Sequence, residues 1–175
     1  MKRLRPMPPA QLDADARALY DRINAGPRGA SMLDDQGALV GPFNAMLLSP
    51  ALGDPLQELG AAIRYRSSLT DRCRELAILI VAAHWSSTFE LQVHEKIATG
   101  LGFTDAQLAA VRTGEPLSLE DPEEAAVLRV TRALVTNGDL DDEEYTLLPE
   151  PALFELTTLT GYYATLALQL RVFRV

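Results

Sequence analysis

The chain has 175 residues, enough for one compact domain with an appended arm, and 47% of them are apolar, so a substantial core can form and long disorder is excluded. A net charge of −8 disfavours nucleic-acid backbones and anionic membranes as partners. The single cysteine, Cys73, rules out an internal disulfide, and aromatics at 6% in an Ala- and Leu-rich chain favour helices over sheets.

The opening MKRLRPMPPAQLDAD carries basic residues with no apolar segment behind them, which predicts no secretory signal. Residues 10–24 place Leu12, Ala16, Leu19, Tyr20 and Ile23 at helical spacing. The sequence GPRG ends that helix, and residues 26–42, interrupted by glycine and proline, read as a long surface loop. A short helical turn, GPFNAMLLSP, follows.

Ser49-Pro50 has the form of a helix start, with serine as N-cap and proline at the first position, and the helix runs to about Arg66. Thr70 caps the next helix, whose LAILIVAA run at 76–83 is too short to span a membrane and fits a buried core helix. Ser86 or Ser87 caps a third helix, ended by Gly100 or Gly102, and Thr104 a fourth. Asp121-Pro122 opens a fifth that stops at Asn137-Gly138, and Asp141 opens a short sixth.

The last helix, from PALFEL almost to the C-terminus, is apolar on more than one face: Leu153, Phe154, Leu156, Leu159, Tyr162, Tyr163, Leu166, Leu168 and Leu170. A helix of that kind is covered on both sides, one of them by a second subunit if the bundle is small. No strand pattern competes, so the fold class is all-α. The expected organisation is an N-terminal helix and loop arm over 1–42 and a helical domain over 43–175. The expected location is the cytoplasm.

Chemistry concentrates in HWSSTFELQVH, residues 84–94, which holds both histidines and the only tryptophan. Glu90 and His94 stand at i and i+4, so both lie on one helix face, with Ser87 a turn earlier. A carboxylate beside an imidazole fixes its tautomer and favours proton transfer near neutral pH. The same spacing is common on solvated helix faces. A metal site needs at least three ligands, for which Glu90 and His94 would have to recruit His84 or Glu75. The order Glu-x-x-x-His is not the His-Glu-x-x-His of zinc proteases, and no metal is expected. His84 and Trp85 end the apolar helix, where a histidine suits the helix dipole. Cys73, with no second cysteine to resolve it, reads as a packed residue.

The run from Leu69, LTDRCRELAILIVAAHWSSTFELQVHEKIATGLGFTDAQLAAVRTG, resembles the core motif of the carboxymuconolactone decarboxylase and alkylhydroperoxidase D superfamily. The shared elements are RELAIL, a turn of small residues, Glu-x-x-x-His on the next helix, and a Gly-Phe-Thr turn into a short helix. GPFNAMLLSPALGDPLQELGAAIRYRSSL upstream and GYYATLALQLRVFRV at the end are similar to a decarboxylase-like branch. That resemblance implies an alkylhydroperoxidase D-like helical bundle assembled as a homotrimer or homohexamer, needing no metal or organic cofactor. It also implies acid–base chemistry, with decarboxylation foremost, on a small carboxylated, lactone-type or aromatic-derived substrate.

In the hydroperoxidase branch a Glu, a Cys-x-x-Cys pair and a His are required. Glu75 and His94 match the Glu and His, but Ser87 and Glu90 occupy the cysteine positions, so peroxidase activity is not expected. The resemblance implies His94 as proton carrier, oriented by Glu90 or Glu75. Ser87, Trp85 and His84 would line the substrate site. Chemistry alone adds Arg64, Arg66 or Arg72, of which Arg72 is the chosen anchor, for bidentate pairing with a substrate carboxylate. The class furthest from this reading is a non-catalytic, oligomeric binding or accessory protein on the same scaffold.

Overall fold

A computed structural model describes residues 3–27 and 32–174. The described residues are all-helical, and the one β interaction among them is an isolated antiparallel bridge between Leu33 and Leu39. The helices are α1 (Ala14–Ala25), α2 (Pro42–Met46), α3 (Pro50–Arg66), α4 (Asp71–His84), α5 (Thr88–Gly100), α6 (Asp105–Thr113), α7 (Pro122–Asn137), α8 (Asp142–Tyr145) and α9 (Glu150–Phe173). The chain divides into two compact units, residues 63–167 and residues 1–62 with 168–175. No helix is long and apolar enough to cross a membrane, among the described residues.

In the unit built from both ends of the chain, α1 starts later than its apolar spacing suggests. Asp13, not a residue near Ala10, accepts from Ala16 N as N-cap, because Pro8 and Pro9 hold the preceding residues in a 3-10 turn. Ala16, Leu19, Tyr20 and Ile23 are buried, as their spacing requires. The stretch expected to be a surface loop is partly internal: Ala38 and Leu39 are buried, and Gly37 O accepts from the Tyr20 hydroxyl at 2.7 Å. Residues 28–31 of that loop lie outside the described residues. Gly53 is dictated by space, since a Cβ there would stand 2.3 Å from Met46 O and 2.9 Å from Leu19 Cδ2. Buried Asn44 accepts from Met7 N and donates to Arg5 O, each at 3.0 Å, which anchors the N-terminal segment.

In the other unit, α4 is the central helix, packed against α5, α6 and α7. Every residue from Cys73 to Ala82 is buried, so the LAILIVAA run up to Ala82 is core on all sides. Local capping sets the boundaries. Thr70 accepts from Cys73 N, Thr104 and Gln107 form a capping box, Asp121 accepts from Glu123 N and Glu124 N, and Asp141 and Glu144 form a second box. Gly138, in the left-handed region at φ 72°, ends α7 where Asn137-Gly138 predicts a stop. Within α9, Leu153, Leu156, Leu159, Tyr162, Tyr163, Leu166 and Leu170 are buried, whereas Phe154 and Leu168 are exposed.

Candidate functional site

The α4–α5 connection brings the polar residues inward. Ser86 takes a left-handed φ of 52°, unusual for a residue with a Cβ. Backbone bonds from Ser86 N to Ala83 O and from Ser87 N to Ala82 O close the turn. The turn sets Ser87 at the N-cap of α5, from which Glu90 and His94 follow at i+3 and i+7. All three are buried.

His94 meets Glu75 of α4, nineteen positions earlier. Its Nδ1 donates to Glu75 Oε2 at 2.6 Å. The other oxygen of Glu75 accepts from Arg64 NH1 at 2.7 Å. Glu75 has 0% side-chain exposure, Arg64 is partly exposed and His94 is nearly enclosed. A buried carboxylate is tolerated because both oxygens take charge-assisted bonds. Burial pushes the Glu75 carboxyl up, but the His94 hydrogen bond and charge, with Arg64 beside it, outweigh burial and hold it below its ordinary range. Burial likewise opposes the charge on Arg64, yet the Glu75 carboxylate leaves the guanidinium more firmly protonated than usual. With Nδ1 committed to Glu75, Nε2 is the ring atom left to exchange a proton.

Tyr163 of α9 closes this group. Its ring meets His94 edge to face at a centroid distance of 5.4 Å, and meets Tyr162 at 5.2 Å. Burial, then the neighbouring Tyr162, Glu75 and Glu90, push its hydroxyl far up, so it stays neutral.

Glu90 is the opposite of Glu75. Among the described residues no cation pairs with it and neither carboxyl oxygen has a hydrogen-bond partner, and burial pushes it up to about 7. Ser87 holds that rise back, and its Oγ too is buried with no hydrogen-bond partner among the described residues.

The remaining expected residues make other contacts. His84 is exposed and half-buried Trp85 meets it edge to face at 5.6 Å. Arg72, expected to anchor a substrate carboxylate, is engaged inside the fold. Its NH2 donates to Glu124 Oε2 at 2.9 Å, its Nε to the other oxygen, its NH1 to Leu101 O at 2.8 Å, and its guanidinium lies 4.1 Å from the Phe103 ring centre. Arg64 is near the site, bound to Glu75. Cys73 is buried, and burial raises its thiol to about 11. Among the described residues no group of three or more His, Cys, Asp or Glu side chains could hold a metal ion.

Sequence reasoning missed two parts of this site. In the sequence Arg64 reads only as a ligand for substrate, because an arginine on another helix carries no spacing signal toward Glu75. Tyr163 reads as one of the apolar positions of the last helix; the available signal is a phenol on a largely aliphatic buried face.

A family model described as the carboxymuconolactone decarboxylase family matches residues 50–142, more than half of the chain. The matched span contains Arg64, Glu75, Ser87, Glu90 and His94, while Tyr163 lies beyond it. No curated protein matches the chain.

Proposed function

Since the chain belongs to the carboxymuconolactone decarboxylase family, we propose that it is a cofactor-independent acid–base enzyme, of carboxy-lyase type, acting on a small carboxylated or lactone-type molecule. The observation that carries this reading is the Arg64–Glu75–His94 series built around the buried Glu75, with His94 Nδ1 2.6 Å from Glu75 and Glu75 2.7 Å from Arg64. His94 and Arg64 together keep Glu75 ionised, and Glu75 fixes the ring of His94 so that Nε2 carries the exchangeable proton. In a decarboxylation, the bond to the carboxylate carbon breaks and its electron pair enters a conjugated carbonyl of the substrate. The Nε2 proton of His94 then goes to the carbon that lost carbon dioxide, and water restores the proton to the ring.

Peroxide reduction is not part of this reading, because Ser87 and Glu90 hold the positions where the related hydroperoxidases carry cysteines. The wider proposal is an alkylhydroperoxidase D-like bundle working in the cytoplasm as a homotrimer or homohexamer.

The test is a panel of unsaturated lactone acids and β-keto acids in deuterium oxide, followed by NMR for carbon dioxide loss and deuterium uptake at carbon. Turnover by the wild type should fall at least a hundredfold in His94→Ala and Glu75→Gln, the scale of lost general acid–base catalysis. Ligand binding with no turnover and no deuterium uptake, unchanged in His94→Ala, would establish the non-catalytic binding protein instead.

A further inference from the structure

Ser87 and Glu90 are buried polar groups that the Arg64–Glu75–His94 series does not use. Ser87 is 1% exposed and Glu90 3%. Among the described residues, Ser87 Oγ, Glu90 Oε1 and Glu90 Oε2 have no hydrogen-bond partner. Three such atoms, one helical turn apart, are uncommon, because each buried polar group left unpaired costs about 1–3 kcal/mol. The Ser87 hydroxyl is not absorbed by the helix end either, since it makes no capping bond, whereas Thr70 and Thr104 cap their helices. Both residues lie on the α5 face that carries His94.

We propose that Ser87 and Glu90 form an uncharged pair of hydrogen-bond donors for an anionic oxygen, the enolate or conjugated carboxylate oxygen of a small unsaturated ligand, beside the proton-transferring His94. The inference takes its substrate class from the acid–base reading above.

Donation by Glu90 requires the protonated carboxyl. Burial favours that form, pushing Glu90 up to about 7, while Ser87 beside it holds the rise back. Of the other ionisable groups of the site, Tyr163 of α9 is a neutral phenol, Arg64 of α3 is bound to Glu75, and Glu75 of α4 is bonded to His94, which lies one turn beyond Glu90 on α5. A buried neutral acid can donate to an oxyanion as it forms, and such donors stabilise developing charge because they are already oriented.

The probe is 2,4-dinitrophenolate, whose oxygen mimics an enolate and remains anionic from pH 6 to 8.5. It is titrated by absorbance into the full chain. Saturable binding should weaken about tenfold or more over that range, as the competent protonated form is depleted. Glu90→Gln, whose amide still donates, should bind with little pH dependence, and Ser87→Ala should bind about tenfold more weakly across the range. Far-ultraviolet circular dichroism confirms that each variant is folded. No saturable binding by the wild type, or a pH dependence that survives in Glu90→Gln, would overturn the proposal. The two readings fail separately: His94→Ala should abolish turnover of the lactone panel while leaving probe binding within about threefold. Loss of probe binding in His94→Ala, with the wild-type pH dependence retained in Glu90→Gln, would reject the donor pair and leave the acid–base reading intact.

Discussion

At the scale of single residues, two buried glutamates separated by fifteen positions in sequence carry opposite charge states. Glu75 is held below its ordinary value and Glu90 is raised to about 7. The signs follow from where each proton is bound. Above the ordinary value of 4.5, Glu90 of the unfolded chain has lost its proton, while the folded protein retains it up to about 7. Folding therefore binds a proton across that window, and stability falls as pH rises from about 4.5 to 7, by up to about 3 kcal/mol, and then levels. Glu75 contributes the reverse: stability that is present above 4.5 and is lost as pH falls through its depressed folded value. Thermal melts of wild type and Glu90→Gln at pH 5 and 8 isolate the first effect. The variant should gain on the wild type by several degrees at pH 8 and by much less at pH 5, and equal gains at both would show that Glu90 ionises normally. Cys73 offers an independent measurement. Buried, with its thiol raised to about 11, it should react with a disulfide reagent far more slowly in the native protein than after unfolding in guanidinium. Cys73→Ser should leave peroxide consumption at the buffer rate, equal to wild type; a loss on substitution would establish thiol peroxidase activity.

At the scale of elements, what was legible in the sequence was what short-range chemistry decides. Thr70, Thr104, Asp121 and Asp141 each announce a helix start, since a side chain bonds a backbone N–H two or three residues ahead. The start of α1 was misjudged because Ala10 and Leu12 fit the apolar period, while the proline pair before them decides the local backbone. The loop over 26–42 looked superficial by composition, yet Ala38 and Leu39 are internal, and only tertiary packing determines that. The site divides in the same way. Ser87, Glu90 and His94 share a helix face by spacing, but the Glu75–His94 bond joins two helices and could be offered only as one of two alternatives. Arg72 is the instructive case. Its guanidinium ties α4 to Glu124 of α7 and to the Leu101 carbonyl after α5, stacked near Phe103. A lysine keeps the charge and loses the planar fork. Arg72→Lys should lower stability by roughly 2 kcal/mol, by leaving nearly buried Glu124 under-bonded, and should leave ligand affinity unchanged. Equilibrium urea unfolding with a binding titration separates the outcomes, and a folded variant of normal stability that no longer binds ligand would establish Arg72 as the substrate anchor that the sequence reading expects.

At the scale of the whole molecule, the question is what covers the apolar side chains left outside. Leu52 of α3 is 72% exposed and Phe154 of α9 73%, and Leu59, Tyr65, Leu168 and Val172 on the same two helices are also exposed. Single exposed apolar residues are ordinary, but several on two helices of a chain with net charge −8 mark surfaces that association would remove from water. Within α9 the inward positions are buried while Phe154 and Leu168 are exposed. Self-association is the proposed remedy, as a closed ring of three or two such rings. Multi-angle light scattering should then return three or six times the 19.1 kDa chain mass at micromolar concentration. Phe154→Glu and Leu52→Glu each place a charge in a contact that must be dry, so at least one should shift the mass toward a single chain without loss of helicity. A wild-type mass of 19.1 kDa would reject the assembly, and would mean that these side chains remain in water in the working protein.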